Sequence, residues 1–190
     1  TYATIPNIPI NIKRWYMSNC MISHPRVVGI PFGVSQNGDS ADKLCNISLE
    51  EKTKWLYANF QTYTLERLYL KENLTAKQIG GDNYITVVED IKPLEDYYKD
   101  ISEHRYIMCP SGNGVDCFRT WEAIYLGSIP ILKKSRTTEQ FAGLPVLLVD
   151  DLFGITLNVL RANYNKILAK RKNLDKATLS FWRGMFSKGS

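Results

Sequence analysis

The chain has 190 residues, of which 44% are hydrophobic and 23% charged, and its formal net charge is +5. This composition is typical of a globular domain with a full core. The charge is too modest for a nucleic-acid binder, and no apolar run approaches the length of a membrane span, so we expect no nucleic acid partner and no membrane span. Four cysteines without C-x-x-C spacing argue against a zinc site.

The sequence offers little about location. No signal peptide is recognisable, and the chain begins abruptly at Thr1, which we interpret as a fragment or a trimmed chain. We therefore expect a cytoplasmic location rather than the lumen of the secretory pathway. Two N-glycosylation sequons, at Asn46 and Asn73, would matter only in that lumen, and such tripeptides often arise by chance.

Short apolar segments alternate with amphipathic ones along the chain. The strands are predicted at residues 26–30, 54–60, 84–88, 105–109, 129–132 and 146–149. The helices are predicted at residues 11–17, 64–73, 93–102, 116–126, 156–170 and 174–186. The polar segment 35–45 is predicted to be a loop. Strands that alternate with helices predict an α/β fold with a mainly parallel sheet.

The segment 105–132 is predicted to form a strand, a glycine-containing turn, a helix and a second strand. Asp116 is predicted at the start of the helix and Gly127 at its C-terminal cap. A turn that leads into a helix leaves backbone N–H groups free, and together with the helix dipole these groups favour an anion such as phosphate. Gly112 and Gly114 would let such a ligand approach the backbone closely.

The predicted helix has one apolar face and one polar face. At about 100° per residue, the apolar face carries Cys117, Phe118, Trp121, Ile124 and Tyr125. The opposite side carries Asp116, Arg119, Thr120 and Ala123, with Glu122 at its margin. The planar fork of Arg119 would grip a diphosphate, and Glu122 would accept hydrogen bonds from ribose or sugar hydroxyls. The alternative is that Arg119 and Glu122 form an i,i+3 ion pair on a solvated face.

Other polar residues are candidates because of where the predicted strands end. Asn59 lies at the carboxyl end of a predicted strand, and Arg67 follows in the first turn of the helix that Thr64 caps. Ligands of open α/β sheets collect at such strand ends. The alternatives are that Asn59 bonds a loop backbone and that Arg67 is a solvated surface charge. For His24 we expect an exposed turn residue, with a role in a reaction as the alternative, and we expect His104 at the surface.

The run CPSGNGVDCFRTWEAIYLGSIPIL at 109–132 resembles the nucleotide-sugar-binding half of exostosin-like glycosyltransferases. That family carries a strand, a P-x-G turn, an Arg and a Glu on the following helix, and then G-x-I-P-[IV]. Further similar segments follow the family's order: HPRVVGIPFGV at 24–34, LYANFQTYTLER at 56–67 and GLPVLLVDD at 143–151. The chain departs from the family at Ser111 and Phe118, where relatives usually carry Arg and His, so two polar contacts to the donor are expected to differ.

The resemblance implies the C-terminal, donor-binding lobe of a two-lobed glycosyltransferase of the GT-B type. The expected fold is a Rossmann-like, mainly parallel sheet with helices on both faces. Residues 1–48 would be the tail or a remnant of the N-terminal acceptor lobe. Residues 49–172 would be the nucleotide-sugar-binding domain, and residues 173–190 a C-terminal helix.

The implied reaction transfers a sugar from a nucleotide-diphosphate sugar, with a UDP-sugar as the expected donor, to a glycan or glycoprotein acceptor. No cofactor or metal is expected, because the chain has no D-x-D triplet and GT-B relatives commonly balance the diphosphate with arginines and helix dipoles. The alternative is a non-catalytic nucleotide- or sugar-binding module of a larger assembly. The candidate substrate-binding residues are Asn59, Arg67, Ser111, Gly112, Asn113, Gly114, Arg119, Thr120 and Glu122.

Overall fold

The structure, a computed structural model, describes residues 7–35, 40–48 and 51–187. The strands are β1 Trp15–Ser18, β2 Val27–Ile30, β3 Lys54–Ala58, β4 Ile85–Val87, β5 His104–Met108, β6 Ile129–Lys133 and β7 Leu147–Val149. The α-helices are α1 Ser40–Cys45, α2 Leu65–Ile79, α3 Leu94–Glu103, α4 Phe118–Tyr125, α5 Leu157–Leu168 and α6 Leu179–Ser187. Short 3-10 helices occupy Thr137–Phe141, Ala169–Lys172 and Asp175–Ala177. Within this part of the chain, no helix has the length and apolar character to cross a membrane.

The strands β3 to β7 form one parallel sheet in the spatial order β4-β3-β5-β6-β7. The predicted α/β fold with a Rossmann-like parallel sheet is therefore confirmed. The chain passes from β3 to β4 on one side and then returns to add β5 on the other side of β3. The pair β3 and β5 is thus the topological switch point, and ligands of open α/β sheets bind outside the carboxyl ends of such a pair.

Helices cover both faces of this sheet, as predicted. Leu70 of α2 and Leu160 of α5 belong to the core on one face. Tyr98 of α3 and Trp121 of α4 belong to the core on the other face. Because α2 follows β3 and α4 follows β5, the chain leaves the two central strands toward opposite faces. The loops that precede α2 and α4 therefore diverge and open a crevice between them.

Local chemistry explains where the helices around this crevice begin and end. The hydroxyl of Thr64 accepts a hydrogen bond from the backbone N–H of Arg67 at 3.3 Å, which confirms Thr64 as the cap of α2. The helix continues past its predicted end to Ile79, because the residues beyond 73 are mostly good helix formers. Gly127 has a φ of +82°, in the left-handed region, and it ends α4 as predicted.

Two predictions for the N-terminal part are wrong. Residues 11–17, predicted as a helix, contain the start of β1, which pairs in parallel with β2. The adjacent aromatic residues Trp15 and Tyr16 favour a strand over a helix. The polar segment 35–45, predicted as a loop, contains α1, whose Leu44 is buried in the core beside α3. A short helix with a single buried leucine gives too weak an apolar periodicity to be recognised.

The predicted C-terminal helix is interrupted near its start. The 3-10 turn Asp175–Ala177 comes first, and the hydroxyl of Thr178 then accepts a hydrogen bond from the N–H of Phe181 at 3.3 Å. This bond satisfies an N–H group at the start of α6. The division of the chain into residues 1–48, 49–172 and 173–190 stays a prediction. Some residues of each part (1–6, 36–39, 49–50 and 188–190) lie outside the described residues.

The N-terminal segment is bonded to the loop that precedes α4. The backbone N–H of Asp116 donates to Oδ1 of Asn19 at 2.7 Å, and the backbone N–H of Phe32 donates to Oδ2 of Asp116 at 2.8 Å. The hydroxyl of Thr137 donates to the carbonyl of Cys20 at 3.1 Å. The segment that carries β1 and β2 therefore forms one wall of the crevice.

His104 is buried, with 1% of its surface exposed, so the prediction of a surface residue is wrong. Its Nδ1 lies 2.6 Å from the carbonyl oxygen of Asp100, and its Nε2 lies 3.0 Å from the hydroxyl of Thr86. Because a carbonyl only accepts hydrogen bonds, Nδ1 carries the proton and Nε2 accepts from Thr86. Burial lowers the pKa of His104 to about 4.

The buried His104 should make folding stability sensitive to acid. Its pKa is about 4 in the folded chain against an ordinary value of 6.5. Between these pH values the unfolded chain therefore binds a proton at His104 and the folded chain does not. Stability should therefore fall as the pH falls from 6.5 toward 4, by about 3 kcal/mol at most. His104→Asn keeps a donor near the carbonyl of Asp100 and cannot titrate, so we expect it to lose this contribution.

The measurement is the free energy of urea unfolding of both proteins at several pH values in that window. His24→Asn is the matched control, since it replaces the other histidine of the chain, at a partly exposed position, and keeps His104, so a loss of stability below pH 6.5 should remain. Equal pH dependence in the wild type and in His104→Asn would contradict the assignment.

Candidate functional site

The crevice at the switch point is a cavity of about 690 Å³, which we call the switch-point cavity. It lies between the loop that follows β3 and the loop that leads from β5 to α4. Seven of the nine candidate substrate-binding residues line it: Asn59, Arg67, Gly112, Asn113, Gly114, Arg119 and Glu122. The sequence prediction thus placed most of its candidates in one cavity, and their role in binding stays a prediction.

The guanidinium of Arg119 makes no hydrogen bond and no ion pair with any described residue, and its Nε is buried without a partner. The alternative prediction, an i,i+3 ion pair between Arg119 and Glu122 on a solvated face, is therefore wrong. The carboxylate of Glu122 attracts the charge of Arg119 from beyond ion-pair distance, but a buried donor without a hydrogen-bond partner is costly. Arg119 is consequently a positive group of the cavity with its hydrogen-bonding capacity unused.

The carboxylate of Glu122 is fixed by two tyrosines of α3. The hydroxyl of Tyr97 donates to Oε2 at 3.2 Å, and the hydroxyl of Tyr98 donates to Oε1 at 3.3 Å. Burial raises the pKa of Glu122, and this effect outweighs the lowering by the charge of Arg119 and by the two hydroxyls. Burial also raises the pKa of both tyrosines, so their hydroxyls stay protonated and remain donors.

The guanidinium of Arg67 joins the two loops of the cavity. Its Nε donates to the carbonyl of Ser111 at 2.8 Å and its Nη2 to the carbonyl of Pro110 at 3.0 Å, both in the loop after β5. Its Nη1 donates to the carbonyl of Gln61 at 3.1 Å, in the loop after β3. Arg67 is 6% exposed, so the alternative of a solvated surface charge is wrong. Two of the five N–H groups of a guanidinium remain for a ligand.

Gly112 and Gly114 leave room for protein side chains, and the prediction that they also let a ligand approach the backbone stays a prediction. A Cβ at Gly112 would lie 2.9 Å from Nη2 of Arg67. A Cβ at Gly114 would lie 2.6 Å from the amide atoms of Asn19. The backbone N–H of Gly112 also donates to the carbonyl of Gly114 at 2.9 Å. The small residues of this turn therefore let Arg67 and Asn19 approach the loop.

The polar side of α4 does not face solvent, which corrects the helical-wheel prediction. Thr120 and Ala123 are 0% exposed, because the sheet and α3 cover the side opposite to the predicted apolar face. Thr120 does not line the switch-point cavity, and its hydroxyl lies 3.7 Å from Sγ of Cys117. Ser111 does not line the cavity either, and its carbonyl serves Arg67. Direct ligand contacts by Thr120 and Ser111 are thus not supported by the geometry.

Asp116 precedes α4 instead of starting it, because Cys117 is the N-cap residue. Asp116 is 2% exposed, and its carboxylate accepts hydrogen bonds from Nε1 of Trp121 at 2.7 Å, from the N–H of Phe32 and from Nε2 of Gln140. Burial raises the pKa of Asp116 to about 6, against the lowering by these three donors. No side-chain hydrogen bond caps the start of α4, so N–H groups of its first turn lack a side-chain acceptor.

Sequence reasoning missed several residues of the cavity, among them Asn19, Phe32, Lys92 and Tyr97. They come from distant segments, and among these four residues only Phe32 has a signal in the sequence that could have suggested it. The ring of Phe32 stacks at 4.7 Å on that of Phe118, the position at which the chain departs from the expected motif. An aromatic residue in place of the usual histidine was the signal that could have suggested such a partner.

Asn59 lies at the carboxyl end of β3, as predicted, and bonds a side chain instead of a loop backbone. Its Nδ2 donates to the hydroxyl of Tyr57 at 3.2 Å, and that hydroxyl donates to Asp100 at 2.8 Å. Lys92 pairs with the same carboxylate of Asp100. This network holds the Asn59 amide and the Lys92 ammonium at the cavity wall. His24 lies outside the cavity, where its Nδ1 accepts from the N–H of Arg26 at 3.0 Å.

Residues 43–149 match the RXYLT1 C-terminal domain family. The match covers more than half of the chain and includes the whole sheet and the loops of the switch-point cavity. The chain therefore belongs to the RXYLT1 C-terminal domain family, and this membership indicates a glycosyltransferase-related role.

The close contact between Gly114 and Asn19 predicts a strong coupling between these positions. We expect Gly114→Ala to destabilise the chain by about 1–3 kcal/mol, because its Cβ overlaps the Asn19 amide and breaks the bonds of Asn19 with Asp116. In an Asn19→Gly background the same change should cost clearly less. Glycine is the suitable replacement because Asn19 has a φ of +50°. The measurement is a double-mutant cycle of unfolding free energies; additive effects would show that the contact does not limit Gly114.

Proposed function

We propose that this chain is the donor-binding domain of a glycosyltransferase and that the switch-point cavity holds a nucleoside-diphosphate sugar. The proposal starts from the family to which the chain belongs. It is carried by one observation, the guanidinium of Arg119, which lines a cavity at the carboxyl ends of β3 and β5 without any described partner. A dianionic diphosphate at the switch point would supply the missing partner.

Mutual repulsion between two arginines supports an anionic ligand. Arg67 and Arg119 line the same cavity, and the pKa of Arg67 is lowered first by burial and next by the positive charge of Arg119. Two cations that repel each other in a partly desolvated site raise the free energy of the empty site. A ligand with two negative charges removes this repulsion, and it gains more from doing so than a ligand with one.

The start of α4 lies at the same wall of the cavity. The N-cap residue, Cys117, makes no side-chain hydrogen bond to the helix, and both Cys117 and Phe118 line the cavity. Uncapped N–H groups and the helix dipole favour an oxyanion near this end. The helix start therefore adds to the attraction of Arg119 for a diphosphate.

Two further groups suit the uncharged parts of the donor. Glu122 presents a fixed carboxylate at the cavity wall, and a carboxylate accepts hydrogen bonds from vicinal hydroxyls of a ribose or a sugar. Asn59 is held at the opposite wall by the hydroxyl of Tyr57. We infer that Glu122 and Asn59 orient the donor while Arg119 binds its diphosphate.

In the proposed reaction, the bond between the sugar C1 and the diphosphate oxygen breaks, and an acceptor hydroxyl oxygen forms the new bond at C1 and loses its proton. Negative charge develops on the departing diphosphate. Arg119 and the start of α4 would stabilise this charge, which is electrostatic catalysis of the leaving group. The sequence lacks a D-x-D triplet, so we assign this task to the arginines and not to a bound cation.

The family name points to a xylosyl donor, and we propose UDP-xylose as the first donor to test. We further propose the exostosin-like GT-B architecture, in which this domain would work with a separate acceptor lobe. The parallel sheet and the cavity at the carboxyl ends of its strands support this proposal.

Replacement of Arg119 should separate binding from stability. Arg119→Met removes charge-assisted hydrogen bonds worth about 1.5–3 kcal/mol, so we expect a roughly 10- to 150-fold weaker affinity for UDP. The guanidinium makes no hydrogen bond or ion pair with any described residue, and the change removes only its longer-range attraction to the carboxylate of Glu122, so the melting temperature should change little. The measurement is calorimetric titration with UDP and UMP, paired with thermal melts, and the wild type should bind UDP more tightly than UMP.

Lys134→Met is the matched control, because Lys134 is an exposed lysine that follows β6 at the same edge of the sheet and pairs with Asp150. It should change the affinity for UDP by less than about twofold. If Arg119→Met melts early yet binds UDP as the wild type does, Arg119 is a structural residue and the donor site is misplaced.

Catalysis is tested by release of UDP from sugar nucleotides. We expect the chain to release UDP from UDP-xylose faster than from UDP-glucose, and we expect Arg119→Met to slow this release by at least about tenfold, since the leaving group loses its stabilising charge. The measurement is a coupled UDP assay with and without a mixture of glycan acceptors. Binding of UDP without release from any donor would favour the non-catalytic nucleotide-binding module.

A further inference from the structure

An aromatic pair forms part of the wall of the switch-point cavity. Phe32, which follows β2, and Phe118, the first residue of α4, both line the cavity. The centres of their rings lie 4.7 Å apart, and the ring planes are tilted by 31°. Phe118 is followed directly by Arg119, to which we assign the binding of the diphosphate. The aromatic pair is therefore an apolar surface next to the group that binds the diphosphate.

Phe32 is partly exposed, and the protein still keeps it in position. It is 46% exposed, so a ligand that covers its ring removes apolar surface from water. Its backbone N–H donates to Oδ2 of Asp116 at 2.8 Å, and the same carboxylate accepts hydrogen bonds from Trp121 and Gln140. Because its backbone is bonded and its ring is stacked, Phe32 presents an aromatic face that is in place before a ligand binds.

Exposure distinguishes the two ends of the cavity along α4. Glu122 lies one helical turn after Phe118, is 6% exposed and is enclosed by Tyr97 and Tyr98, whose hydroxyls bond its carboxylate. The end at Phe32 is open. An acceptor must reach C1 of the transferred sugar, so the sugar belongs at the open end and the nucleoside at the enclosed end. The hydroxyls that Glu122 accepts are then those of the ribose.

An aromatic face suits the sugar ring of a donor. A pyranose carries most of its hydroxyls at the ring edge, so its faces present C–H groups, which pack on the electron-rich face of an aromatic ring. A phosphate is unfavourable in the same place, because this face repels negative charge and the contact excludes water. A nucleobase also stacks on aromatic rings. A base at Phe32 would, however, leave the sugar at the enclosed end, out of reach of an acceptor.

We propose that Phe32 contacts the transferred sugar, with its ring, stacked on Phe118, packed against a C–H face of the pyranose. This inference rests on the donor site proposed above. It adds the direction in which the donor lies in the cavity, from the nucleoside at Glu122 to the sugar at Phe32. The ring contact stabilises the sugar part of the donor and not the UDP part. Phe32 therefore distinguishes a sugar nucleotide from the free nucleoside diphosphate.

The experiment compares UDP-xylose with UDP in calorimetric titrations of the full chain as wild type, Phe32→Ala and Phe32→Tyr, and thermal melts check that each variant is folded. Phe32→Ala removes the ring and keeps the backbone N–H that bonds Asp116. We expect this change to weaken the affinity for UDP-xylose by at least about fivefold and that for UDP by less than about twofold. Phe32→Tyr keeps an aromatic face, so its affinity for UDP-xylose should stay within about twofold of the wild type.

Phe186→Ala is the matched control. Phe186 is 42% exposed, its ring centre lies 4.8 Å from that of Tyr16, and it does not line the cavity. Its replacement should leave both affinities unchanged. The proton NMR spectrum of the bound ligand gives a second readout, because protons above an aromatic ring shift to lower frequency. The xylose C–H protons should show this shift with the wild type and lose it with Phe32→Ala, whereas the uracil protons should be the same with both proteins.

Several results would overturn the role of Phe32. Among them are an equal loss of affinity for UDP and UDP-xylose in Phe32→Ala, no loss for either ligand, an equal loss of affinity for UDP-xylose in Phe186→Ala, and a ring shift on the uracil protons instead of the xylose protons. If the wild type binds UDP, each of these results leaves the donor site standing. If the wild type binds neither UDP nor UDP-xylose, the donor site is wrong, and the sugar contact of Phe32 is wrong with it.

Discussion

One guanidinium fixes the distance between the two halves of the candidate site. The loops after β3 and β5 diverge because their helices cover opposite faces of the sheet. The pairing of the two strands therefore does not fix the distance between these loops. Arg67 bonds the carbonyls of Gln61, Pro110 and Ser111, and in this way it joins both loops across the switch point. Gly112 belongs to the same arrangement, since any larger residue would meet this side chain. The cavity therefore has a fixed width before a ligand arrives.

Arg67 and Arg119 differ in their hydrogen bonds, and this difference explains why we assign a structural role to Arg67 and the binding of the diphosphate to Arg119. Three N–H groups of Arg67 donate hydrogen bonds to backbone carbonyls, whereas Arg119 donates none to any described residue. A cation without hydrogen-bond partners favours an anion more than a cation whose donors are already bonded, because the ligand completes hydrogen bonds that the folded chain leaves open. Two tyrosine hydroxyls hold the carboxylate of the neighbouring Glu122, so that this carboxylate does not form an ion pair with Arg119.

Much of the fold and part of the site could be predicted from the sequence. The apolar strands, the caps at Thr64 and Gly127 and the alternation of strands with helices are local signals, and they gave the parallel sheet. The helical wheel of α4 failed, because a helix between a sheet and α3 buries Thr120 and Ala123 regardless of their polarity or size. The roles of the two glycines and the burial of His104 depend on contacts with Asn19, Arg67 and Thr86, which are far away in the chain and leave no local pattern.

The central claim is that the unpartnered guanidinium of Arg119 binds a diphosphate. The most direct measurement follows the Nε–H signals of the arginine side chains by ¹H–¹⁵N NMR during titration with UDP. We predict that the Nε–H signal of Arg119 shifts strongly and saturates with UDP, while that of Arg67 moves little because its Nε–H is already bonded to Ser111. UDP binding that saturates while the Arg119 signal stays in place would contradict the claim.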